Sequence, residues 1–138
     1  MKILSVASEV FPLVKTGGLA DVAGALPAAL AKQGVSVVSL MPGYPAVMKA
    51  LESNEVAYTS DSHFGGMARL LRGKAKGLDL FVLDAPHLYD RPGNPYLGPD
   101  GKDWPDNSKR FAALSQIATD VGRGLVADFV PDVIHCHD

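Results

Sequence analysis

The chain alternates between short apolar runs and longer segments in which apolar residues recur at helical spacing. Residues 3–7 read Ile-Leu-Ser-Val-Ala, which is typical of a buried strand. Helical spacing follows over residues 19–30, and Gly34 ends it before a second apolar run at 35–41. Pro27 lies inside the helical pattern, so it either kinks the helix or begins a second helical segment. The first forty residues therefore predict a β–α–β unit.

The middle of the chain has a hairpin pattern followed by a long segment rich in proline and glycine. Residues 46–51 predict a short helix after Pro42-Gly43. Apolar-rich runs at 69–72 and 78–83 flank a turn bounded by glycines, which predicts an antiparallel hairpin. Residues 84–105 show no periodicity, and a loop of that length inside a compact domain is usually functional or disordered.

Helical spacing returns in the last third of the chain. Asp106 is placed to cap this helix, and residues 133–136 predict a buried parallel strand that ends in His137 and Asp138. The apolar face of the helix consists of Phe111, Leu114, Ile117, Ala118, Val121 and Leu125.

Strands that alternate with helices predict the α/β class: a Rossmann-like, doubly wound, mostly parallel sheet with a β-hairpin excursion. In such sheets ligands bind at the carboxyl ends of the strands. The loop after the first strand and Asp138 both follow predicted strands, so we expect them to belong to one site.

Composition and charge exclude several classes of function. The 138 residues make at most one domain, and a hydrophobic fraction of 47% is ample for a core. A net charge of −2 gives no basic footprint for nucleic acid, and no apolar run is long enough for a membrane span. The single cysteine, Cys136, makes no internal disulfide, which suits a cytoplasmic location.

The first loop carries the clearest chemical signal. Lys15, Gly17 and Gly18 stand between a predicted strand and a predicted helix. Glycines let backbone N–H groups approach a ligand, the helix N-terminus adds partial positive charge, and Lys15 adds a full charge. This pattern favours a phosphate site. The alternative is a tight turn with a solvated lysine.

The final histidines do not predict a metal site. His135 and His137 are two apart on a strand and so share a face, while Cys136 points the other way and no third ligand is evident. We interpret His135 as a structural histidine with satisfied hydrogen bonds. Cys136 is interpreted as a small buried apolar residue.

Several motifs, in order, resemble the N-terminal part of the bacterial glycogen synthase family, which is related to plant starch synthases. The resemblance spans the whole chain. It rests on residues 8–22 with 24–27, 41–45, 84–89, 91–96, 106–107, 110–112 and 131–138.

The resemblance implies a two-domain GT-B glycosyltransferase that needs no cofactor. Such enzymes transfer glucose from ADP-glucose to the non-reducing end of an α-1,4-glucan, glycogen, with retention. It further implies that the Lys15 loop, with Gly17 and Gly18, faces the donor diphosphate. The resemblance also implies roles for five single residues. Asp138 would be the catalytic carboxylate of the cleft, and Lys15 would bind the diphosphate. Asp21 would contact the donor glucose, Tyr96 would lie near the donor or the acceptor, and His137 would lie beside the sugar.

Other interpretations of these residues remain open at the level of sequence. Asp21 is equally placed to be a favourable charge at a helix N-terminus, and Asp138 to cap a following helix. Residues 1–138 are expected to be an incomplete N-terminal domain that lacks the C-terminal nucleotide-binding domain, is inactive alone and has an open apolar edge. The alternative is a non-catalytic phosphate- or nucleotide-binding α/β module. A different nucleotide-sugar transferase of the same architecture is a third hypothesis.

Overall fold

A computed structural model describes all 138 residues and shows six strands in one sheet with four helices. The predicted hairpin and the short helix near residue 46 are both present. In chain order the elements are β1 (Lys2–Val6), α1 (Gly18–Ala31), β2 (Ser36–Pro42), α2 (Pro45–Ala50), β3 (Ser53–Ser60), β4 (Ala68–Ala75), β5 (Leu78–Asp84), α3 (Pro86–Tyr89), α4 (Asn107–Gly122) and β6 (Val133–Cys136).

The sheet is mixed, with the strand order β3-β4-β5-β2-β1-β6. Strands β5, β2, β1 and β6 are parallel, whereas β3, β4 and β5 form an antiparallel meander. This arrangement confirms the predicted α/β class with its mostly parallel sheet and hairpin excursion. The connections from β1 to β2 and from β5 to β6 run in opposite directions across the sheet, so right-handed crossovers put α1 and α4 on opposite faces.

The core is built from the apolar runs that predicted the strands. Leu4 of β1, Leu40 of β2 and Phe81 of β5 are fully buried. Helix α4 covers this part of the sheet with Ile117 and Val121, as its apolar spacing predicted. Because β5, β2, β1 and β6 run parallel, their carboxyl ends lie at one edge of the sheet, where ligands bind in such folds.

Two parts of the chain are more regular than the sequence suggested. Strand β3 was not predicted because it is an exposed edge strand without an apolar run. The segment 84–105, predicted to be a structureless loop, contains α3 and a short β-bridge between Leu97 and Asp103.

Pro27 lies within α1, and the helix continues through it as one element. A proline has no N–H group to donate, so the helix lacks one backbone hydrogen bond at this position.

Strand β6 is parallel, as predicted, but it is not buried. It pairs only with β1, and Val133 and Ile134 remain 42% and 37% exposed. Cys136, predicted to be buried, is exposed as well. An apolar run looks the same in a central strand and at an edge, and only the neighbouring elements decide which it becomes.

The loop between β1 and α1 crosses the helix at a glycine. The Phe11 N–H donates to the carbonyl of Ala20 at 3.0 Å. A Cβ atom added at Gly24 would lie 2.2 Å from the Phe11 carbonyl oxygen, far inside van der Waals contact. Gly24 therefore allows the loop that precedes Lys15 to lie directly on α1.

We expect Gly24→Ala to destabilise the full-length protein by about 1–3 kcal/mol, because the new methyl group must displace backbone. Gly18→Ala is the matched control in the same helix, since no atom lies within 4 Å of its Cβ position. Alanine there should raise stability by about 0.5–1 kcal/mol. Denaturant unfolding measures both, and equal effects of the two substitutions would contradict the close approach.

Candidate active site

A cleft of about 860 Å³ opens where β1 and β6 end. The two strands are in register, with Val6 beside Cys136, and the His137 N–H donates to the Val6 carbonyl at 2.9 Å. This pairing brings the segment after β1 next to the segment after β6. The cleft is lined by Val6, Ala7, Ser8, Glu9, Gly17, Gly18, Leu19, Tyr96, Phe111, Leu114, Ser115, Ala118, Thr119, Ile134, Cys136, His137 and Asp138.

The N-terminus of α1 faces this cleft. Gly17 is extended, with φ −158° and ψ −160°, and no side chain caps the first turn. No atom lies within 4 Å of the Cβ positions of Gly17 and Gly18. The first backbone N–H groups of a 14-residue helix are thus open to the cleft, where their partial positive charge favours an anion.

Lys15 and Asp21 do not line the cleft but pair with each other beside it. Their Nζ and Oδ2 atoms are 2.5 Å apart, and the side chains are 45% and 51% exposed. Lys15 was predicted to bind the diphosphate and Asp21 to contact the donor glucose, but in this structure the two side chains form an ion pair with each other. A pair this exposed contributes only about 0–1 kcal/mol, so a doubly charged ligand can displace it.

Asp138 and His137 lie at the other side of the cleft. Asp138 is exposed, whereas His137 is partly buried and its Nε2 is 3.0 Å from the Ser5 hydroxyl. The rings of His135 and His137 stack with centroids 4.1 Å apart, which confirms that they share a face. Burial lowers the pKa of His137, and the neighbouring His135 lowers it further. His135 is exposed and its ring makes no hydrogen bond, so its interpretation as a structural histidine with satisfied hydrogen bonds was wrong.

Tyr96 reaches the cleft from the long segment 84–105. Its hydroxyl is 2.6 Å from the Ser8 hydroxyl, and its carbonyl accepts a hydrogen bond from the Asn107 side-chain amide at 2.9 Å. Burial raises the pKa of Tyr96. The structure therefore joins Tyr96 with Gly17, Gly18, His137 and Asp138, although it is distant from them in sequence.

The buried guanidinium of Arg110 holds this long segment in place. Its Nε donates to the Leu88 carbonyl at 2.6 Å and its Nη1 to the Pro95 carbonyl at 2.7 Å. Arg110 is only 1% exposed and stacks near the rings of Tyr89 and Phe111. Pro95 directly precedes Tyr96, so the position of Tyr96 depends on Arg110, which lies fifteen residues after Pro95 in the sequence.

Asp106 stands at the N-cap position of α4 but does not cap the helix with its side chain. Its two carboxylate oxygens instead accept bonds from Arg91, at 2.6 Å each. The predicted cap was therefore wrong, because a planar guanidinium binds both oxygens at once. Arg91 also holds the pKa of the Asp106 carboxyl below its usual range. This pair closes the base of the segment that carries Tyr96.

Glu9 is a cleft residue to which the sequence analysis assigned no role. It is 3% exposed, and its Oε2 accepts hydrogen bonds from the Thr16 N–H and hydroxyl, both at 2.7 Å. This carboxylate ties the end of β1 to the glycine loop. The sequence signal that could have identified Glu9 is its position, a charged residue shortly after the apolar run of β1.

No group of three or more His, Cys, Asp or Glu side chains is arranged to hold a metal ion.

The fold and the cleft define a Rossmann-like α/β domain with a glycine loop and a helix N-terminus at the carboxyl edge of its sheet. Within that class, the chain belongs to the starch synthase catalytic domain family, whose family model matches residues 2–138. No helix is both long and apolar enough to span a membrane.

Similar proteins support this assignment along the whole chain. Glycogen synthase of Rhodopseudomonas palustris strain BisB18 is 65% identical over 98% of the chain, and that of Methylocella silvestris is 61% identical over all of it. The chain spans 28% and 29% of the lengths of these two relatives. Among solved structures, the catalytic domain of starch synthase IV from Arabidopsis thaliana bound to ADP and acarbose matches 99% of the chain, at 27% identity and a TM-score of 0.67. The chain covers 27% of that structure.

Replacing the buried guanidinium should loosen the segment that carries Tyr96. We expect Arg110→Lys to cost about 1.5–3 kcal/mol, since one ammonium cannot replace the forked contacts with Leu88 and Pro95. Arg123→Lys, at the exposed end of the same helix, is the control and should change stability by less than about 0.5 kcal/mol. Denaturant unfolding and proteolysis within residues 84–105 measure the effect. A variant as stable and as protease-resistant as the parent would contradict this role of Arg110.

His137 should make the stability of the protein depend on pH. Its pKa in the folded protein lies below the usual 6.5, so the unfolded chain binds the proton more readily. The stabilisation is complete above about pH 6.5 and is lost as the pH falls through the folded-state pKa. NMR titration should place the midpoint of His137 below 6.5, and His135→Gln should move it upward. A midpoint at or above 6.5 would contradict the burial of this ring.

Proposed function

We propose that this chain supplies the N-terminal part of a retaining glucosyltransferase that transfers glucose from ADP-glucose to the non-reducing end of an α-1,4-glucan. The observation that carries the proposal is the single cleft that joins the glycine loop, Tyr96, His137 and Asp138. Family membership and a structural neighbour bound to ADP and acarbose support the same chemistry. A cytoplasmic location fits the free cysteine, Cys136.

The donor diphosphate would lie at the N-terminus of α1. Backbone N–H groups of the first turn, beginning at Gly18, are open to this position. Lys15 would leave Asp21 for the diphosphate, because the exposed ion pair is weak and the incoming ligand carries more than one charge. As the glycosyl bond breaks, negative charge grows on the departing diphosphate. The helix terminus and Lys15 would stabilise that charge.

The glucosyl group would lie between the two sides of the cleft. The carboxylate of Asp138 would support the positive charge that develops at the anomeric carbon, and His137 would orient sugar hydroxyls from its position on Ser5. Asp21, once released by Lys15, would be free to accept a hydrogen bond from the donor glucose. The ring of Tyr96 offers an apolar face on which a donor or acceptor sugar can stack.

The remaining part of the site would come from a C-terminal nucleotide-binding domain. The chain spans less than a third of the length of its relatives. We therefore propose that residues 1–138 are an incomplete N-terminal domain and do not transfer glucose alone. Transfer of labelled glucose from ADP-glucose to glycogen by the full-length protein tests the activity. Binding of ADP without any transfer would instead favour a non-catalytic nucleotide-binding module.

Lys15→Ala in the full-length enzyme should raise KM for ADP-glucose and lower kcat, because the ammonium contacts the diphosphate both in the bound donor and during departure. A charge-assisted contact contributes about 1.5–3 kcal/mol, which corresponds to one to two orders of magnitude in kcat/KM. Affinity for glycogen should be unchanged. Steady-state kinetics with each substrate varied in turn gives these values.

Two further variants separate the role of the charge from that of the ion pair. Lys15→Arg should recover part of the activity, since a planar fork replaces a point charge. Asp21→Asn removes the same ion pair but leaves Lys15 free to bind the diphosphate, so it should not weaken binding of ADP. It should lower kcat, because the carboxylate proposed to contact the donor glucose is lost. If Lys15→Ala had the same kcat and KM as the wild type, the assignment of Lys15 to the donor site would be wrong.

A further inference from the structure

A second depression, of about 420 Å³, adjoins the Lys15 loop. Residues 13–16 line this depression, whereas residues 17–19 line the cleft. Lys15, Arg91 and Arg110 contribute three cations to its walls, and none of its lining residues is acidic. We refer to this depression as the cationic recess. The recess shares Lys15 with the proposed donor site, but none of its lining residues also lines the cleft.

Arg110 is the unusual member of the cationic recess. Its Nε donates to Leu88 and its Nη1 to Pro95 and Asn107, while its Nη2 group makes no hydrogen bond within the protein. The residue is only 1% exposed and still lines the recess. A buried guanidinium with a free N–H₂ group beside an open space can donate to a ligand there.

The charge of Arg110 also lacks a partner. Lys15 and Arg91 each form an ion pair with a carboxylate, whereas Arg110 contacts only carbonyl and amide oxygens. Burial lowers the pKa of Arg110, and the nearby charge of Arg91 acts in the same direction, whereas the Asp106 carboxylate acts in the opposite direction. Asp106 pairs with Arg91 and not with Arg110, and a buried cation without an ion pair of its own is costly, so an anion in the recess would be stabilising.

We propose that the cationic recess binds a small phosphate-bearing ligand that is separate from the sugar-nucleotide donor. Guanidinium groups match the geometry of phosphate oxygens, and Arg110 is held rigidly by its carbonyl contacts before any ligand arrives. The volume is large enough for a phosphate with a small organic group. This site goes beyond the proposed glucosyl transfer and does not depend on it.

The test uses inorganic phosphate as the probe and the full-length protein. Isothermal titration at constant ionic strength and with saturating ADP, which occupies the proposed donor site, should show one saturable phosphate site per chain. Ala46, an exposed residue of α2 that lines the recess, offers a way to change its charge without touching the cleft.

Ala46→Glu places a carboxylate among the cations, and Ala46→Gln is the uncharged control of the same size and similar helix propensity. Phosphate affinity should be at least about tenfold lower in the Glu variant than in the Gln variant, the loss of one charge-assisted contact. Affinity for ADP should differ less between the two variants than affinity for phosphate does, because Lys15 is the one recess cation that is also proposed for the donor site. Ala46→Asp with Ala46→Asn provides a second pair should the Glu variant unfold.

Three results would overturn the proposal: no saturable phosphate binding, equal phosphate affinity in the Glu and Gln variants, or complete displacement of phosphate by ADP. The last result would assign the phosphate to the donor site. Failure of the full-length protein to transfer glucose would contradict the proposed function alone. The phosphate titration of the two Ala46 variants in the presence of ADP would still decide the question of the recess.

Discussion

Parallel pairing on both sides of β1 is the constraint on which the site depends. β2 and β6 both run in the same direction as β1, and the backbone bond from His137 to Val6 continues this pairing past the end of β6. The segments after β1 and β6 therefore emerge side by side. One of them leads to the glycine loop and α1, and the other ends in Asp138. Without this register the N-terminus of α1, the proposed anion site, and the carboxylate of Asp138 would not share a cleft.

A second constraint comes from buried charge and places the remaining wall of the cleft. Arg110 donates to carbonyls of the segment 84–105, and Arg91 pairs with Asp106 at the base of that segment. Hydrogen bonds from a buried cation are costly to leave unmade, so the segment has little freedom to move away. Tyr96 is carried by it into contact with Ser8. A part of the chain that lacks regular periodicity thus becomes a fixed part of the site.

The loop from residue 13 to residue 19 connects two positively charged environments. On one side lies the uncapped N-terminus of α1, and on the other lies the cationic recess with Arg110. Lys15 stands between them and is held only by an exposed ion pair with Asp21. Because that pair contributes little free energy, the position of the ammonium group can follow whichever anion is present. Glu9 holds the backbone of the loop at Thr16, next to Lys15, through two hydrogen bonds.

The sequence by itself determined the α/β class, the β–α–β start, the hairpin and the apolar face of α4, because each is a periodic pattern of local residues. It also predicted a phosphate site at the Lys15 loop, because paired glycines between a strand and a helix let backbone N–H groups approach an anion. An open apolar edge was expected, but only the tertiary structure showed that β6 forms it. The tertiary structure also decided that Asp106 binds Arg91 rather than capping α4, and that Lys15 pairs with Asp21. The resemblance implied that Tyr96 lies near the donor or acceptor, but only the structure shows the contacts that hold it, because those from Arg110 to Pro95 and from Asn107 to Tyr96 join residues 15 and 11 positions apart without a repeating pattern.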